Sequence, residues 1–239
     1  MRPRALSVIV PTYNERDSLP ILVDRLGTVA AEVALEMIVV DDNSPDGTGA
    51  LAEELARRAP MLVHVVHRPG KAGLASAVME GIAASRGTTV TVMDADLSHP
   101  PELLPTLEAA IADGADVAVA SRYVPGGGIE AWPLLRRLTS RVATALTRSV
   151  LGLSVRDPLS GFFAARRELL SGVPYRQLGY KLLMEVLATH PRARVVEIPY
   201  RFVERGLGAS KLSGGEIVNF LRLLAYLKRG TTRWNSAHF

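Results

Sequence analysis

The sequence contains no cysteine, few aromatic residues and no long hydrophobic run, and each of these absences narrows what the chain can be. Because none of its 239 residues is cysteine, the protein has no disulfide, iron–sulfur cluster, zinc finger or thiol nucleophile. Aromatic residues make up 5% and hydrophobic residues 48%, so a large core must consist mainly of aliphatic side chains. No stretch of about 18 apolar residues occurs, and we therefore expect no transmembrane helix.

The charge balance excludes few partners. The chain has 28 Lys and Arg residues against 24 Asp and Glu residues, a formal net charge of +4. This charge permits attraction to phosphates, a nucleotide or a lipid surface. Lysine is scarce and no nucleic-acid-binding motif is present, so we expect no nucleic-acid partner. The first apolar run ends at Pro11, too early for a signal peptide, and this favours a cytoplasmic protein.

Short apolar segments alternate with stretches of helical spacing along the first half of the chain. The predicted strands cover 6–10, 36–40, 62–66, 89–93 and 116–120, and the helices between them cover 19–33, 49–58, 74–85 and 101–112. This alternation predicts right-handed crossovers and an α/β fold with a mostly parallel central sheet flanked by helices. The second half is less regular, with helices expected over 133–151, 180–189 and 216–229, a strand over 161–165 and an extended segment over 194–203.

Three polar clusters follow predicted strands, at 11–15, 41–44 and 94–96. Because the carboxyl ends of parallel strands share one edge of a sheet, we expect these clusters to meet there, where open α/β sheets bind ligands. In the last cluster, Asp94 and Asp96 can lean toward one ligand, and such carboxylates bind Mg²⁺ or Mn²⁺ together with water and substrate phosphates. An Asp-x-Asp pair can also be a solvated turn that caps a helix, and the pattern alone does not choose between the two.

The cluster around Asp41 and Asp42 also allows two interpretations. An Asx-rich turn that caps the following helix explains Asp46 and Thr48, whereas two adjacent carboxylates at a strand end can accept hydrogen bonds from a nucleobase or a ribose. Lys71 precedes a predicted helix, where an ammonium is unfavourable unless an anion such as a nucleotide phosphate is near. Neither a P-loop nor a dinucleotide-binding glycine motif is present at the positions those folds require.

Taken together, these motifs resemble those of family 2 glycosyltransferases with the GT-A fold. The segments that carry the resemblance are Pro-Thr-Tyr-Asn-Glu at 11–15, Asp-Asp-Asn-Ser-Pro-Asp-Gly-Thr at 41–48, Gly-Lys at 70–71 and Asp-Ala-Asp-Leu-Ser-His-Pro-Pro-Glu at 94–102. Downstream segments are similar to those of dolichyl- and polyprenyl-phosphate mannose synthases: Ser-Arg-Tyr at 121–123, Gly-Gly-Gly at 126–128, Trp132, Arg136 with Ser140, Asp-Pro-Leu-Ser-Gly-Phe at 157–162, Gly-Tyr-Lys at 179–181 and the segment 199–212.

The resemblance implies an inverting transfer of mannose from GDP-mannose to a polyprenyl (dolichyl-type) phosphate, with Mg²⁺ or Mn²⁺ as cofactor. It implies that Asp94 and Asp96 hold the metal; where some members have a glutamine ligand two residues further on, this chain has Ser98, a weaker donor. The residues implied to line the nucleotide pocket are Pro11, Tyr13, Glu15, Asp41, Asp42, Lys71 and Ala95, with Arg205, Ser210 and Lys211 reaching the phosphates. Arg122, Arg136 and Ser140 are implied to bind the acceptor phosphate, and Asp94, Asp96, Arg122, Arg136 and Arg205 to act directly in catalysis.

The predicted helix over 133–151 has an apolar side next to a basic one. The apolar side carries Leu134, Leu138, Val142 and Ala145, and the basic side carries Arg137, Arg141 and Arg148. Such a helix can lie in a membrane interface and meet a lipid phosphate, but it can equally be a surface helix with an arginine face. The last predicted helix carries Ile217, Phe220, Leu221, Leu224 and Leu227, which can pack on the core, on a partner or on lipid.

We expect a catalytic domain over 1–212 and, over 213–239, a C-terminal amphipathic helix and tail. The resemblance places the protein peripherally on the cytoplasmic face of a membrane, with a small membrane-anchoring protein as a potential partner. Two other functions stay open. One is transfer of glucose or an N-acetylhexosamine from a UDP-linked donor to a polyprenyl phosphate, because acidic clusters do not distinguish guanine from uracil. The other is a non-catalytic binding subunit that has kept the fold, although its expected mark, a broken metal motif, is absent here.

Overall fold

A seven-stranded sheet forms the centre of the protein in a computed structural model that describes residues 6–130, 132–171, 173, 181–203 and 214–236. Its strand order is β3-β2-β1-β4-β7-β5-β8. The strands are β1 (Leu6–Thr12), β2 (Leu35–Asp41), β3 (Leu62–His67), β4 (Thr89–Val92), β5 (Val117–Ser121), β7 (Phe163–Arg166) and β8 (Val195–Pro199). Two further strands, β6 (Gly128–Glu130) and β9 (Arg201–Val203), pair in parallel beside the main sheet.

The prediction of a mostly parallel sheet is confirmed. Strands β1 to β4 pair in parallel, as do β5 and β8. Every residue of β2, β4 and β5 is buried, which explains why β2 and β5 are mainly apolar runs rather than alternating ones. Strand β7 is the exception, because it runs antiparallel to both of its neighbours, β4 and β5.

Helices cover both faces of the sheet. They are α1 (Leu19–Val29), α2 (Thr48–Ala56), α3 (Leu74–Ala84), α4 (Leu104–Ala112), α5 (Leu134–Leu151), α6 (Arg167–Ser171), α7 (Leu182–Thr189) and α8 (Gly214–Ser236), with a 3₁₀ turn at Pro101–Leu103 before α4. One cluster of aliphatic side chains packs under α1 and α4 and a second under α3 and α7. The aliphatic core that the composition predicted is therefore split by the sheet into two layers.

Several details differ from the sequence prediction. Helix α8 runs from Gly214 to Ser236, beyond both ends of the predicted 216–229. Helix α1 ends at Val29, four residues early, because the chain tightens into turns there, where Ala31 and Glu32 donate backbone hydrogen bonds to Thr28 and Val29. Val33 still packs against the core from this turn, which is why the apolar pattern outlasts the helix. Strand β6 and helix α6 were not predicted, since they are only three and five residues long.

Helices α5 and α8 pack together beside α7 and leave apolar side chains exposed. Leu134, Leu135 and Leu138 of α5 are 81%, 76% and 60% exposed. The apolar residues predicted for the last helix differ in burial. In α8, Leu224 and Leu227 are buried, whereas Ile217 and Leu221 are exposed. Within the described ranges, no helix combines the length and the apolarity needed to cross a membrane.

Candidate active site

The three polar clusters meet at one edge of the sheet, as predicted. Thr12 at the end of β1 pairs with Asp41 at the end of β2, and the Asp42 amide donates to the Thr12 carbonyl. On the other side of β1, the Met93 amide donates to the Ile9 carbonyl and brings the end of β4 alongside. The parallel register therefore gathers side chains that are far apart in the sequence.

Asp94 and Asp96 lie in a tight turn directly after β4. Leu97 adopts a left-handed backbone conformation with φ of 65°, which is unusual for a branched apolar residue and marks a constrained turn. The Ser98 amide donates to Asp96 Oδ1 at 3.0 Å, and the Asp94 amide donates to Nδ1 of His99 at 3.0 Å. Side chains of Asp96 and His99 thus accept hydrogen bonds from backbone amides of the turn and stabilise its conformation.

His99 supports this turn from the interior of the protein. It is buried, and its ring stacks on Phe162 with ring centroids 5.0 Å apart. Burial lowers the pKa of His99, which favours the neutral ring whose Nδ1 accepts the Asp94 amide.

The residues of this turn fit a divalent cation that is also held by substrate. The side chain of Asp94 is 48% exposed, yet its surroundings raise its pKa, first through lost solvation and also through the negative charge of Asp96. The Ser98 hydroxyl is buried with no hydrogen-bond partner among the described residues. Asp94 and Asp96 supply two carboxylates, and Mg²⁺ or Mn²⁺ usually takes one or two carboxylates plus water and phosphate.

Glu15 lies across the cleft from the aspartate pair. Its pKa is raised, mainly by burial and further by the negative charges of Asp96 and Asp94. Glu15 Oε2 accepts a hydrogen bond from the Ser18 hydroxyl at 2.7 Å, and its amide donates to the Thr48 hydroxyl at 2.9 Å. These bonds join the loops after β1 and β2 into one wall of the cleft.

Tyr13 and Lys71 form the outer part of the same wall. The ammonium of Lys71 lies 3.3 Å from the centroid of the Tyr13 ring, a cation–π contact between the loop after β1 and the segment before α3. Gly73, the residue before α3, has φ of 95°, a conformation that glycine adopts without strain. Lys71 therefore lies beside the start of α3 and against the exposed ring of Tyr13, as the sequence predicted for its position before a helix. Pro11, also predicted to line the nucleotide pocket, is half-buried near the end of β1.

The two adjacent aspartates after β2 make internal contacts. Asp41 accepts hydrogen bonds from the Thr12 hydroxyl and from both the amide and the hydroxyl of Ser44. Asp42 forms an ion pair with the buried Arg68. We predicted an Asx-rich turn only for Asp46 and Thr48, but the hydrogen bonds of Asp41 to Ser44 show that Asp41 also belongs to such a turn. The nucleotide role of Asp41 and Asp42 stays a prediction.

Arg122 on the other side of the cleft is held by a buried carboxylate. Its Nε and one Nη donate to Asp157 at 2.8 Å each, and its amide donates to the same side chain at 3.0 Å. The side chains are 9% and 0% exposed. Burial lowers the pKa of Arg122, but the hydrogen bonds and charge of Asp157 more than reverse this effect, so the guanidinium is fixed in place and charged.

Aromatic side chains link Arg122 to the other predicted acceptor residues. Arg136 stacks on Trp132 with its guanidinium carbon 3.9 Å from the ring centroid, and Arg122 is 5.8 Å from the same ring. The Tyr123 hydroxyl and the Ser140 hydroxyl are 2.8 Å apart. The structure therefore brings Arg122, Arg136 and Ser140 together, as predicted.

The acidic and basic sides of the cleft meet at Lys181. Burial lowers the pKa of Lys181, and the positive charge of Arg122 lowers it further, while Asp157 and Asp94 act in the opposite direction. His99, which accepts the Asp94 amide, and Trp132, which lies against Arg136, both contact the Phe202 ring, with ring centroids 6.3 Å and 5.2 Å away, so the two sides share one cleft. Arg205, Ser210 and Lys211 lie outside the described residues.

A family model decides what kind of protein carries this cleft. The model of glycosyl transferase family 2 matches residues 7–173, a range that contains both the aspartate pair and the arginine cluster. The chain belongs to glycosyl transferase family 2. The resemblance that the motifs indicated is thereby confirmed.

Two relatives within this family are similar over most of the chain. One is a dolichol-phosphate mannosyltransferase of Pyrococcus furiosus, 45% identical over 219 residues, which are 91% of this chain and 62% of that protein. The other is a polyprenol monophosphomannose synthase of Mycolicibacterium smegmatis, 45% identical over 218 residues, which are 88% of this chain and 82% of that one. The chain thus spans less than two thirds of the length of the first relative and most of the second.

A solved structure agrees on the fold. The glucosyl-3-phosphoglycerate synthase of Mycobacterium tuberculosis, in complex with Mn²⁺, UDP and glucosyl-3-phosphoglycerate, matches with a TM-score of 0.68 and 24% identity. The match covers 95% of this chain and 80% of that one. The GT-A fold expected from the motifs is therefore confirmed for this family 2 member.

Sequence reasoning missed several residues of the cleft of this glycosyltransferase. Asp157 and Lys181 lie within segments that carry the resemblance, but they were given no role, because their importance depends on Arg122, which is distant in the sequence. Trp132 was also given no role, although it holds Arg136. An isolated tryptophan just before a helix whose first turn carries Arg136 and Arg137 was the signal that could have indicated it.

Proposed function

We propose that the protein transfers mannose from GDP-mannose to a polyprenyl (dolichyl-type) phosphate with inversion, at the surface of a membrane. The observation that carries the proposal is the single cleft in which the Phe202 ring joins His99, beside Asp94, to Trp132, beside Arg122 and Arg136. One side of that cleft suits a sugar diphosphate and its cation, and the other suits a phosphate monoester. The names of the two relatives support mannose and polyprenyl phosphate as the transferred group and its acceptor.

The donor would lie against the ends of β1, β2 and β4. Asp94 and Asp96 would hold Mg²⁺ or Mn²⁺, which when bound stabilises the negative charge of the departing diphosphate. Lys71, kept in position by Tyr13, adds positive charge on the same side. Glu15 and the Ser44–Thr48 turn limit the space beside the nucleotide. We propose the same region for Arg205, Ser210 and Lys211.

The acceptor needs positioning more than activation. A phosphate monoester has a second pKa near 6, so it is already a nucleophilic dianion for much of the time at neutral pH and needs no strong general base. Arg122 is held rigid by Asp157 and Arg136 is stacked on Trp132, which presents two guanidinium groups to the phosphate at little entropic cost. The Ser140 hydroxyl, bonded to Tyr123, supplies a further donor.

The exposed apolar residues of α5 and α8 support a peripheral membrane location. Leu134, Leu135 and Leu138 lie on the helix that also carries Arg136 and Ser140. An amphipathic helix in the lipid interface would place the phosphate of a membrane-embedded polyprenol near these two residues. A small membrane-anchoring partner stays a prediction.

A sugar-transfer assay tests the proposal. Purified protein is incubated with a short polyprenyl phosphate, Mn²⁺ and, separately, radiolabelled GDP-mannose, UDP-glucose and UDP-N-acetylglucosamine. We expect lipid-linked label only from GDP-mannose, and GDP to raise the melting temperature in Mn²⁺ more than UDP does. Label from a UDP-sugar alone would replace the donor in the proposal, and label from none would favour the binding subunit.

A further inference from the structure

A pocket beside α5 borders the acceptor side of the cleft, with which it shares Tyr123, and its lining includes none of Arg122, Arg136 and Ser140. It has a volume of about 400 Å³ and is lined by Tyr123, Arg141, Thr144, Ala145, Arg148 and Arg156. Three of these six side chains are arginines and none is acidic. A concave surface with this composition favours an anion.

The three arginines have no counter-charge in the part of the chain that the structure describes. The side chains of Arg141, Arg148 and Arg156 form no ion pair or hydrogen bond there, in contrast to Arg122, whose guanidinium is bound to Asp157. The carboxylate of Glu197 comes close to this region but accepts the backbone amides of Arg156 and Asp157. The positive charge of the pocket is therefore not used to stabilise the fold through described contacts.

A second, independent feature of the pocket is an unsatisfied hydroxyl. Thr144 is 6% exposed, and its Oγ1 has no hydrogen-bond partner among the described residues. A threonine inside a helix commonly donates to the carbonyl one turn earlier, as Thr139 of the same helix does to Leu135 at 2.8 Å. Thr144 is one of the residues that line the arginine pocket, and its hydroxyl is a buried donor that no described contact uses.

The position of the pocket on α5 indicates the source of the anion. Arg141, Thr144, Ala145 and Arg148 follow one another at helical spacing along one stripe of α5. The neighbouring stripe carries Leu134, Leu138 and Val142, all exposed. When an apolar stripe lies in the acyl region of a bilayer, arginines at its border reach the level of the lipid phosphates.

We propose that this pocket binds the phosphate group of an anionic membrane phospholipid, separately from the donor diphosphate and the acceptor phosphate. The proposal rests on the proposed function only for the membrane location of α5, and it does not depend on which sugar is transferred. Arg141, Arg148 and Arg156 bind the phosphate oxygens as charged, multidentate donors, and Thr144 donates its free hydroxyl. Tyr123 lines the pocket and also contacts Ser140, so a bound headgroup stabilises one side of the acceptor site.

The test compares matched variants of the full chain on vesicles. Arg141→Gln combined with Arg156→Gln removes two pocket charges, whereas the control combines Arg57→Gln with Arg192→Gln, two exposed arginines on other surfaces. Flotation measures binding to phosphatidylcholine vesicles with and without phosphatidylglycerol. We expect the pocket variant to lose roughly tenfold or more of its binding to the anionic vesicles, and the control to lose much less. Equal losses in the two variants would overturn the proposal.

Thr144→Val separates specific recognition from general charge attraction. It keeps the shape and the net charge, so a nonspecific electrostatic surface predicts no change, whereas the pocket predicts a several-fold loss of preference for the anionic vesicles. Melting curves in glycerol phosphate or inorganic phosphate test whether the pocket binds a soluble phosphate instead of a lipid phosphate. If these soluble phosphates stabilise the wild-type chain and not the pocket variant while flotation is unchanged, the site binds free phosphate and not lipid.

The two proposals can fail independently. Loss of vesicle selectivity in both pocket variants supports the lipid site even if no sugar donor yields lipid-linked product. Normal mannosyl transfer with unchanged flotation of both variants leaves the proposed function intact and overturns the lipid site.

Discussion

On the donor side of the cleft, the candidate residues stand at the ends of neighbouring parallel strands, whereas on the acceptor side they are held by contacts between distant loops and helices. Asp94 and Asp96 follow β4 directly, and the turn that carries them is closed by local hydrogen bonds. Arg122, in contrast, depends on Asp157, 35 residues later. The donor side is thus built by backbone register and the acceptor side by side-chain pairing, and substitutions should affect the two in different ways.

The largest effect is expected on the donor side and concerns activity alone. Asp96→Asn removes one negative charge from the proposed cation site, and we expect mannosyl transfer to fall at least roughly a hundredfold, since a bound cation contributes several kcal/mol to the transition state. Because the turn keeps its shape, the melting temperature should stay near that of the wild type. The measurement is initial rate against Mn²⁺ concentration.

The matched control for this variant is Asp113→Asn, an exposed aspartate after α4. It should leave both the rate and the melting temperature unchanged. If Asp96→Asn retained nearly full activity in this comparison, the metal site would have to be elsewhere.

The next effect should appear on the acceptor side as a loss of stability. Asp157→Asn leaves the buried Arg122 without its carboxylate, and breaking a buried pair in this way costs about 3–5 kcal/mol of the free energy of unfolding. Arg25→Gln breaks the more exposed pair with Glu102, whose atoms are 2.6 Å apart, and should cost less than about 1 kcal/mol. Urea unfolding measures both, and similar values for the two variants would contradict the buried-pair interpretation of Arg122.

A pair of aromatic substitutions separates the two substrates. Trp132→Leu removes the ring under Arg136, a contact of about 0.5–2 kcal/mol, so KM for the polyprenyl phosphate should rise roughly 2- to 30-fold while KM for GDP-mannose stays unchanged. Tyr13→Leu should do the reverse, with a roughly 2- to 5-fold rise in KM for GDP-mannose, because its contact with Lys71 is more exposed. A rise in both constants for either variant would show that the two sides are not separable.

The smallest effect is expected at Ser98. Its buried hydroxyl has no partner among the described residues, so Ser98→Ala should leave the free energy of unfolding unchanged or raise it slightly, because the variant no longer buries an unsatisfied donor. If the hydroxyl contributes to the cation site, the variant needs a higher Mn²⁺ concentration for half-maximal rate. An unchanged Mn²⁺ requirement would remove Ser98 from the set of metal ligands.

The same contrast explains how much could be predicted from the sequence. The five strands of the first half, their parallel order and the convergence of the polar clusters followed from periodicity, since register brings the ends of neighbouring parallel strands together. The antiparallel orientation of β7 could not be predicted, because the pattern of a buried strand is the same in both directions. The basic pocket was predicted only in part. The spacing of Arg141 and Arg148 places them on one face of a helix, whereas Arg156 follows that helix and reaches the pocket only in the folded chain.

The position of strand β7 has a consequence for how the protein folds while it is being synthesised. It pairs with β4 on one side and β5 on the other, so the strand that leads into the aspartate turn is completed by residues that leave the ribosome only after α5. Until then β4, whose residues Thr-Val-Thr-Val carry no charge, has an open edge that can pair with another chain. A fragment that ends before Phe163 therefore keeps the aspartate turn and yet leaves the edge of β4 unpaired, so truncation at that point creates an aggregation hazard.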